Sequence, residues 1–140
     1  MVLVIVSMIM VMFIGSIGII SQELHVTSDA TQKERIYRVA EAGIQYVLFL
    51  QQGAGYTVDQ LVGKSGTAKD VVDPATNEVI GRYTITVEEL DAPLDGITVE
   101  SRGVNPSGQF CSRVTTRLER PSGAPAGQYL TYGWTRSQCT

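Results

Sequence analysis

The first 21 residues of the chain are apolar and uncharged, and they read MVLVIVSMIMVMFIGSIGIIS. A helix of about 20 residues is about 30 Å long, which is the thickness of the hydrocarbon core of a bilayer. A secretory signal peptide instead has a basic segment, a shorter apolar region and a small-residue cleavage site. Here the first Lys or Arg is Lys33. The pattern therefore favours a membrane or assembly helix over residues 1–21.

Two glycines interrupt this apolar stretch, Gly15 and Gly18. A glycine inside a helix costs about 1 kcal/mol relative to alanine. If the helix loosens or stretches at any point, we therefore expect it to do so at Gly15 and Gly18. The alternative is that these glycines let a neighbouring helix approach closely.

Residues 22–52 contain no proline, and their apolar or small residues recur every three or four positions. This spacing predicts an amphipathic continuation of the first helix. The positions on its apolar face are Ile36, Val39, Ala40, Gly43, Val47 and Leu50. A single helix over residues 1–52 would be about 78 Å long. A head of this size cannot cover such a rod, so its first half must lie in lipid or against other copies.

Residues 53–140 are predicted to form a globular head with a β-sheet. The segment 53–78 reads as a loop with a short turn near Leu61 that packs on the helix. Residues 81–90, 96–104 and 110–120 alternate and are rich in β-branched residues, which predicts an antiparallel meander of strands. The side chains expected on its buried face are Tyr83, Ile85, Val87, Ile97, Val99, Val114 and Leu118.

The tail begins with a Pro/Gly/Ala linker at 121–127 and continues with the aromatic residues Tyr129, Tyr132 and Trp134. These aromatic side chains are expected to pack the tail onto the head. The alternative is that they present a binding surface.

The 14 acidic and 11 basic residues give a formal net charge of −3. A nucleic-acid site needs a basic patch, so the sequence predicts none. The two cysteines are Cys111 and Cys139. Export makes a disulfide between them plausible, and it would stabilise the fold by roughly 3–4 kcal/mol. The alternative is two buried free thiols.

No set of residues predicts catalysis, a metal site or a cofactor. The segment GKSGT at 63–67 lacks the glycine that a phosphate-binding loop needs five positions earlier, where Val58 stands. His25 has no evident partner for acid–base chemistry. Asp91 and Asp95 fit a solvated turn better than a calcium site.

The layout of the chain resembles that of a mature type IV pilin. The resemblance is strongest in ERIYRVAEAGIQYVL at 34–48, where AEAG at 40–43 is similar to the minor-pilin-like branch, as is ITVESRGVN at 97–105. It implies an α+β fold in which a long N-terminal helix packs on a small antiparallel sheet with a C-terminal disulfide-bound region. The helix–sheet core would include Ile36, Ala40, Gly43 and Val47.

The resemblance also implies a life cycle. A prepilin peptidase would cut a basic leader before Met1, which becomes a methylated terminus. The subunit would wait in the inner membrane until an assembly machinery moves it into an extracellular filament of identical subunits. The apolar helices would form the filament core through residues that include Val2, Leu3, Ile5, Ile9, Phe13 and Ile17.

Two positions depart from the family pattern. Ile5 stands where the family has a glutamate, and Gln22 stands near the place of a helix-breaking proline. Two alternatives therefore stay open. One is a minor pilin or pseudopilin that primes or caps a pilus or a secretion filament. The other is a bitopic membrane protein with a small extracellular binding domain.

Overall fold

A computed structural model describes residues 28–91, 95–124 and 128–139 of the chain. The predicted assembly helix over 1–21 lies outside these residues. So do the sites predicted in it, which are Met1, Val2, Leu3, Ile5, Ile9, Phe13, Gly15, Ile17 and Gly18. Within the described residues, no helix is both long enough and apolar enough to cross a membrane. Residues Lys33–Thr140 form one compact unit, which contains the core.

Helix α1 covers residues 28–52. It ends where Gly53 and Ala54 both donate backbone hydrogen bonds to the carbonyl of Phe49, at 2.8 and 3.2 Å. After a short connection, helix α2 covers Val58–Val62, and the backbone N–H of Thr57 donates to the Gln60 side chain at its start. Leu61 on α2 is buried. The short turn predicted near Leu61 is therefore a helix.

Five antiparallel strands follow in the order in which they occur in the chain. They are β1 (Ala68–Val72), β2 (Val79–Glu89), β3 (Gly96–Val104), β4 (Cys111–Glu119) and β5 (Leu130–Gln138). The predicted meander is confirmed as β2, β3 and β4. The prediction was incomplete at both edges, because β1 lies in the segment read as a loop and β5 lies in the segment read as a packed tail.

The fold is α+β, with α1 packed on one face of the sheet. All seven side chains predicted on the buried face are buried: Tyr83, Ile85, Val87, Ile97, Val99, Val114 and Leu118. From α1, the core receives Ile36, Val39, Ala40, Ile44, Val47 and Leu50. Alternation along the strands thus places one apolar face under the apolar face of the helix.

Glycines set the distance between helix and sheet. A Cβ atom at Gly103 on β3 would lie 2.6 Å from the backbone nitrogen of Ala40. Gly43, predicted in the helix–sheet core, is buried together with Ile36, Ala40 and Val47. The absence of side chains at Gly43 and Gly103 therefore lets the helix backbone approach the sheet directly.

Candidate interaction surface on strand β5

Strand β5 forms one edge of the sheet. It pairs with β4, and no described residue pairs with its other side. All nine of its residues are exposed. An edge strand offers unpaired N–H and C=O groups to any second strand that comes alongside. We call Leu130–Gln138 the β5 edge.

The β5 edge carries three large apolar side chains in solvent. Leu130 is 52% exposed, Tyr132 46% and Trp134 42%. The expectation that the aromatic residues pack the tail down was therefore wrong for Tyr132 and Trp134, and it holds only for the partly buried Tyr129. The physical reason is that α1 approaches the sheet closely at Gly81 of β2 and Gly103 of β3, whereas on β5 it contacts Arg136.

A bulge places the two exposed aromatic residues on opposite faces of the sheet. Thr115 pairs with Thr135 and Arg117 pairs with Tyr132, so the register shifts between these two pairs. Gly133 has a φ of 60°, a conformation that favours glycine, and it supplies the extra residue. Because side chains alternate, Tyr132 shares the outer face with Arg117, and Trp134 lies on the helix side.

Two contacts fasten the C-terminal part of β5 to the head. At its end, the disulfide Cys111–Cys139 joins it to β4, with 5.4 Å between the Cα atoms. This confirms the predicted bridge and excludes the two free thiols. On the helix side, the Arg136 guanidinium lies 4.0 Å from the ring centre of Tyr37, and its Nη1 lies 3.2 Å from Glu34 Oε2.

A small groove lies at the start of β5. Its volume is about 370 Å³, and its wall includes Tyr56, Asp59, Asp95, Arg120 and Tyr129. Asp95 forms an ion pair with Arg120, and the backbone N–H of Arg120 donates to the Asp95 carbonyl at 2.7 Å. Burial, followed by the nearby Asp95 carboxylate, raises the pKa of Tyr129. Tyr129 lies in this groove and is partly buried, so it holds the first residues before β5 against the head.

The segment considered for phosphate binding makes structural contacts within the head. In the GKSGT segment, Ser65 Oγ accepts a hydrogen bond from the backbone of Val87 at 3.1 Å, and Gly66 N donates to the Ile85 carbonyl at 2.8 Å. This segment therefore fastens α2 to β2. Within the described ranges, no group of three or more His, Cys, Asp or Glu residues is arranged to hold a metal ion. His25 lies outside those ranges.

The outer face of the sheet is lined with paired charges. Arg82 Nε lies 2.6 Å from Asp70 Oδ1, and Arg113 Nε lies 3.2 Å from Glu100 Oε1. The hydrogen bond from Arg82 holds the pKa of Asp70 below its usual value. Arg102 differs from these arginines, because its Nε donates to Cys111 Sγ at 3.1 Å.

Sequence reasoning did not find the β5 edge or the contact between Arg102 and the disulfide. A signal for the first is present in LTYGWTRSQ at 130–138, where β-forming residues surround a single glycine. The second depends on the register between β3 and β4, which the sequence alone does not fix.

No protein-family model, curated protein or solved structure matches this chain. Its function is therefore inferred from the apolar stretch, the fold and the β5 edge.

Proposed function

We propose that the chain is a structural subunit of a type IV pilus-like surface filament and polymerises through residues 1–21. The observation that carries this proposal is the uncharged stretch of membrane length at 1–21, which precedes a helix that is built into a folded head. A subunit that leaves the membrane for a filament exchanges lipid for neighbouring apolar helices. Its apolar side chains stay out of water in both places.

The packing of α1 supports this role. One face of the helix is buried in the head, whereas Arg35, Gln45 and Phe49 on the other side are exposed. Phe49 is 65% exposed. The head therefore leaves one side of α1 open, and helices of other subunits have room to approach from that side.

The β5 edge also supports the proposal that the chain assembles with other protein chains. Edge strands of monomeric proteins usually carry charged residues, prolines or a covering segment that blocks pairing with other chains. The β5 edge has one charged residue, Arg136, and no proline. Its exposed Tyr132 and Trp134, one on each face of the sheet, belong to residue types that are enriched at protein interfaces.

Electron microscopy of the purified full-length chain and of material sheared from cells tests the proposal. We expect filaments in which this chain is the main component. Ile5→Lys and Gly18→Glu should abolish them, because a charge in a packed apolar core is costly. Ile5→Leu and Gly18→Ala serve as the matched controls, and filaments should persist in both.

Two other results would redirect the proposal to its alternatives. A trace amount of the chain in filaments built from another protein would indicate a minor pilin or pseudopilin. An unprocessed N-terminus, with the protein confined to membranes as a monomer, would indicate a bitopic membrane protein. Normal filaments from the Ile5→Lys variant would refute assembly through residues 1–21.

A further inference from the structure

The two sulfur atoms of the disulfide have different surroundings. Cys111 is the first residue of β4, which lies between β3 and β5, and its Sγ accepts a hydrogen bond from Arg102 Nε at 3.1 Å. Cys139 follows the last residue of β5, and its Sγ accepts no hydrogen bond from the described residues. A positive charge therefore lies beside one sulfur only.

Strand register places Arg102 beside Cys111. Cys111 is opposite Val104, and Arg102 lies two residues before Val104 on the same face of the sheet, so Arg102 and Cys111 are diagonal neighbours. Arg113 is directly opposite Arg102 on this face, and it is paired with Glu100 at 3.2 Å. Arg102 forms no salt bridge with any described carboxylate. Its charge is therefore not neutralised by a neighbour and acts on the sulfur.

We propose that this disulfide exchanges with external small thiols at Cys139 and releases Cys111. The incoming thiolate sulfur bonds to Cys139 Sγ, the bond between the two cysteine sulfurs breaks, and its electron pair stays on Cys111. One disulfide replaces another, so no further oxidant or reductant is needed. Exchange is faster when the leaving thiolate is more stable, and a neighbouring arginine stabilises a thiolate. Cys139 is thus the site of modification by thiols.

The same arrangement acts in reverse when the bridge forms. Cys111, as a thiolate beside Arg102, attacks Cys139 Sγ of a mixed disulfide and expels the small thiolate. Arg102 and Cys111 belong to neighbouring strands joined by a short turn at 105–110. Pairing of β3 with β4 therefore suffices to place them, before β5 is fastened. This inference does not depend on the proposed filament.

The test uses the oxidised full-length chain in detergent micelles and 2-mercaptoethanol at neutral pH. The only charge on this thiol is that of its reacting thiolate, and any attraction of the thiolate to Arg102 would favour attack on Cys111, against the expected result. Samples are quenched in acid at early times, and mass spectrometry locates the adduct. We expect the adduct on Cys139 to exceed that on Cys111 by about threefold or more. Equal adducts, or an excess on Cys111, would overturn the proposal without reference to any variant.

Three substitutions separate the charge of Arg102 from simple accessibility of Cys139. Arg102→Gln should remove the preference and slow the exchange, whereas Arg102→Lys should keep most of the preference because it keeps the charge. Arg117→Gln removes a cation from the same face of β4, away from the disulfide, and should change nothing. A preference that survives in Arg102→Gln would show that accessibility alone directs the exchange, and the proposed role of Arg102 would be wrong.

Discussion

Gly43 on α1 lies directly against Ser101 on β3. A Cβ atom at Gly43 would overlap Ser101 Oγ and come within 2.9 Å of Tyr83 Cδ2. Ser101 is completely buried, and its Oγ finds no hydrogen-bond partner among the described residues. This contact fixes how closely the helix approaches the sheet, because neither residue has room for another atom.

Adding a methyl group at the helix–sheet contact should destabilise the head. Gly43→Ala should cost roughly 1–3 kcal/mol, as expected for overpacking. Gly103→Ala should cost more, because its Cβ would meet the backbone of Ile36 and Ala40 at 2.7 and 2.6 Å, and backbone atoms cannot rotate away. Urea unfolding of the full-length chain in detergent, followed by circular dichroism, measures both changes.

Gly63 provides the control for these substitutions. It has a helical φ of −62°, and its added Cβ would have no neighbour nearer than 3.4 Å. Gly63→Ala should therefore change the free energy of unfolding by less than about 0.5 kcal/mol, or raise it slightly. If Gly43→Ala were as harmless as Gly63→Ala, the close approach of α1 to β3 would be wrong.

The Ser101 hydroxyl should contribute nothing to stability. A buried hydroxyl without a partner costs free energy, since it has lost its hydrogen bonds with water. Ser101→Ala should therefore leave the free energy of unfolding unchanged or raise it by up to about 1 kcal/mol. Thr116→Val is the comparison, because Thr116 is also buried but its Oγ1 lies 3.5 Å from the Tyr132 carbonyl. A clear loss of stability in Ser101→Ala would reveal a partner for the hydroxyl.

The sequence predicted the centre of the head better than its edges. Ile85, Val99 and Val114 alternate with polar residues because one side of each strand is buried, and that period is visible in the chain. Strand β1 was missed because its five residues are mostly exposed and carry little apolar alternation. Strand β5 was missed because none of its residues is buried, so burial leaves no pattern there.

The candidate sites, too, were only partly predictable from the sequence. The bridge between Cys111 and Cys139 was predictable, since a chain with two cysteines allows only one pairing within it. Neither the solvent exposure of Trp134 nor the place of Arg102 beside Cys111 was predictable. Both depend on the position of β5 and on strand register, which are tertiary properties.

Because Arg82 forms an ion pair with Asp70, replacing Arg82 should change how the free energy of unfolding depends on pH in acid. Because the hydrogen bond from Arg82 lowers the pKa of Asp70 in the folded state, the stabilisation is present above the unfolded pKa of about 3.9. It is lost as the pH falls through the lower folded pKa. A titration of the Asp70 carboxyl group by NMR should show a midpoint below that of an exposed aspartate, and Arg82→Gln should restore the ordinary midpoint.

The Arg82→Gln variant also tests whether the ion pair forms in solution. An unchanged Asp70 midpoint in Arg82→Gln would mean that the pair does not persist in solution, as many exposed ion pairs do not.

Removing the disulfide should loosen β5 before the rest of the sheet. The bridge joins residues separated by 28 positions, and closing a loop of that length stabilises by roughly 3–4 kcal/mol in the chain-entropy model. The double variant Cys111→Ser/Cys139→Ser should lose about this much in urea unfolding. Hydrogen exchange should show faster exchange first at the amides that join β4 to β5, because no buried side chain of β5 holds it in place.

The contact of Arg136 with Tyr37 and Glu34 decides how far that loosening goes. Besides the disulfide, this contact holds β5 to the head, on the side of the sheet that faces the helix. An exposed cation–π contact contributes only about 0.5–1 kcal/mol. Arg136→Ala alone should therefore have a small effect, whereas in the double cysteine variant it should free the C-terminal part of β5. Amides of β2 and β3 should keep their protection in all of these variants. If they exchanged as fast as those of β5, the disulfide would be stabilising the whole head and not its edge.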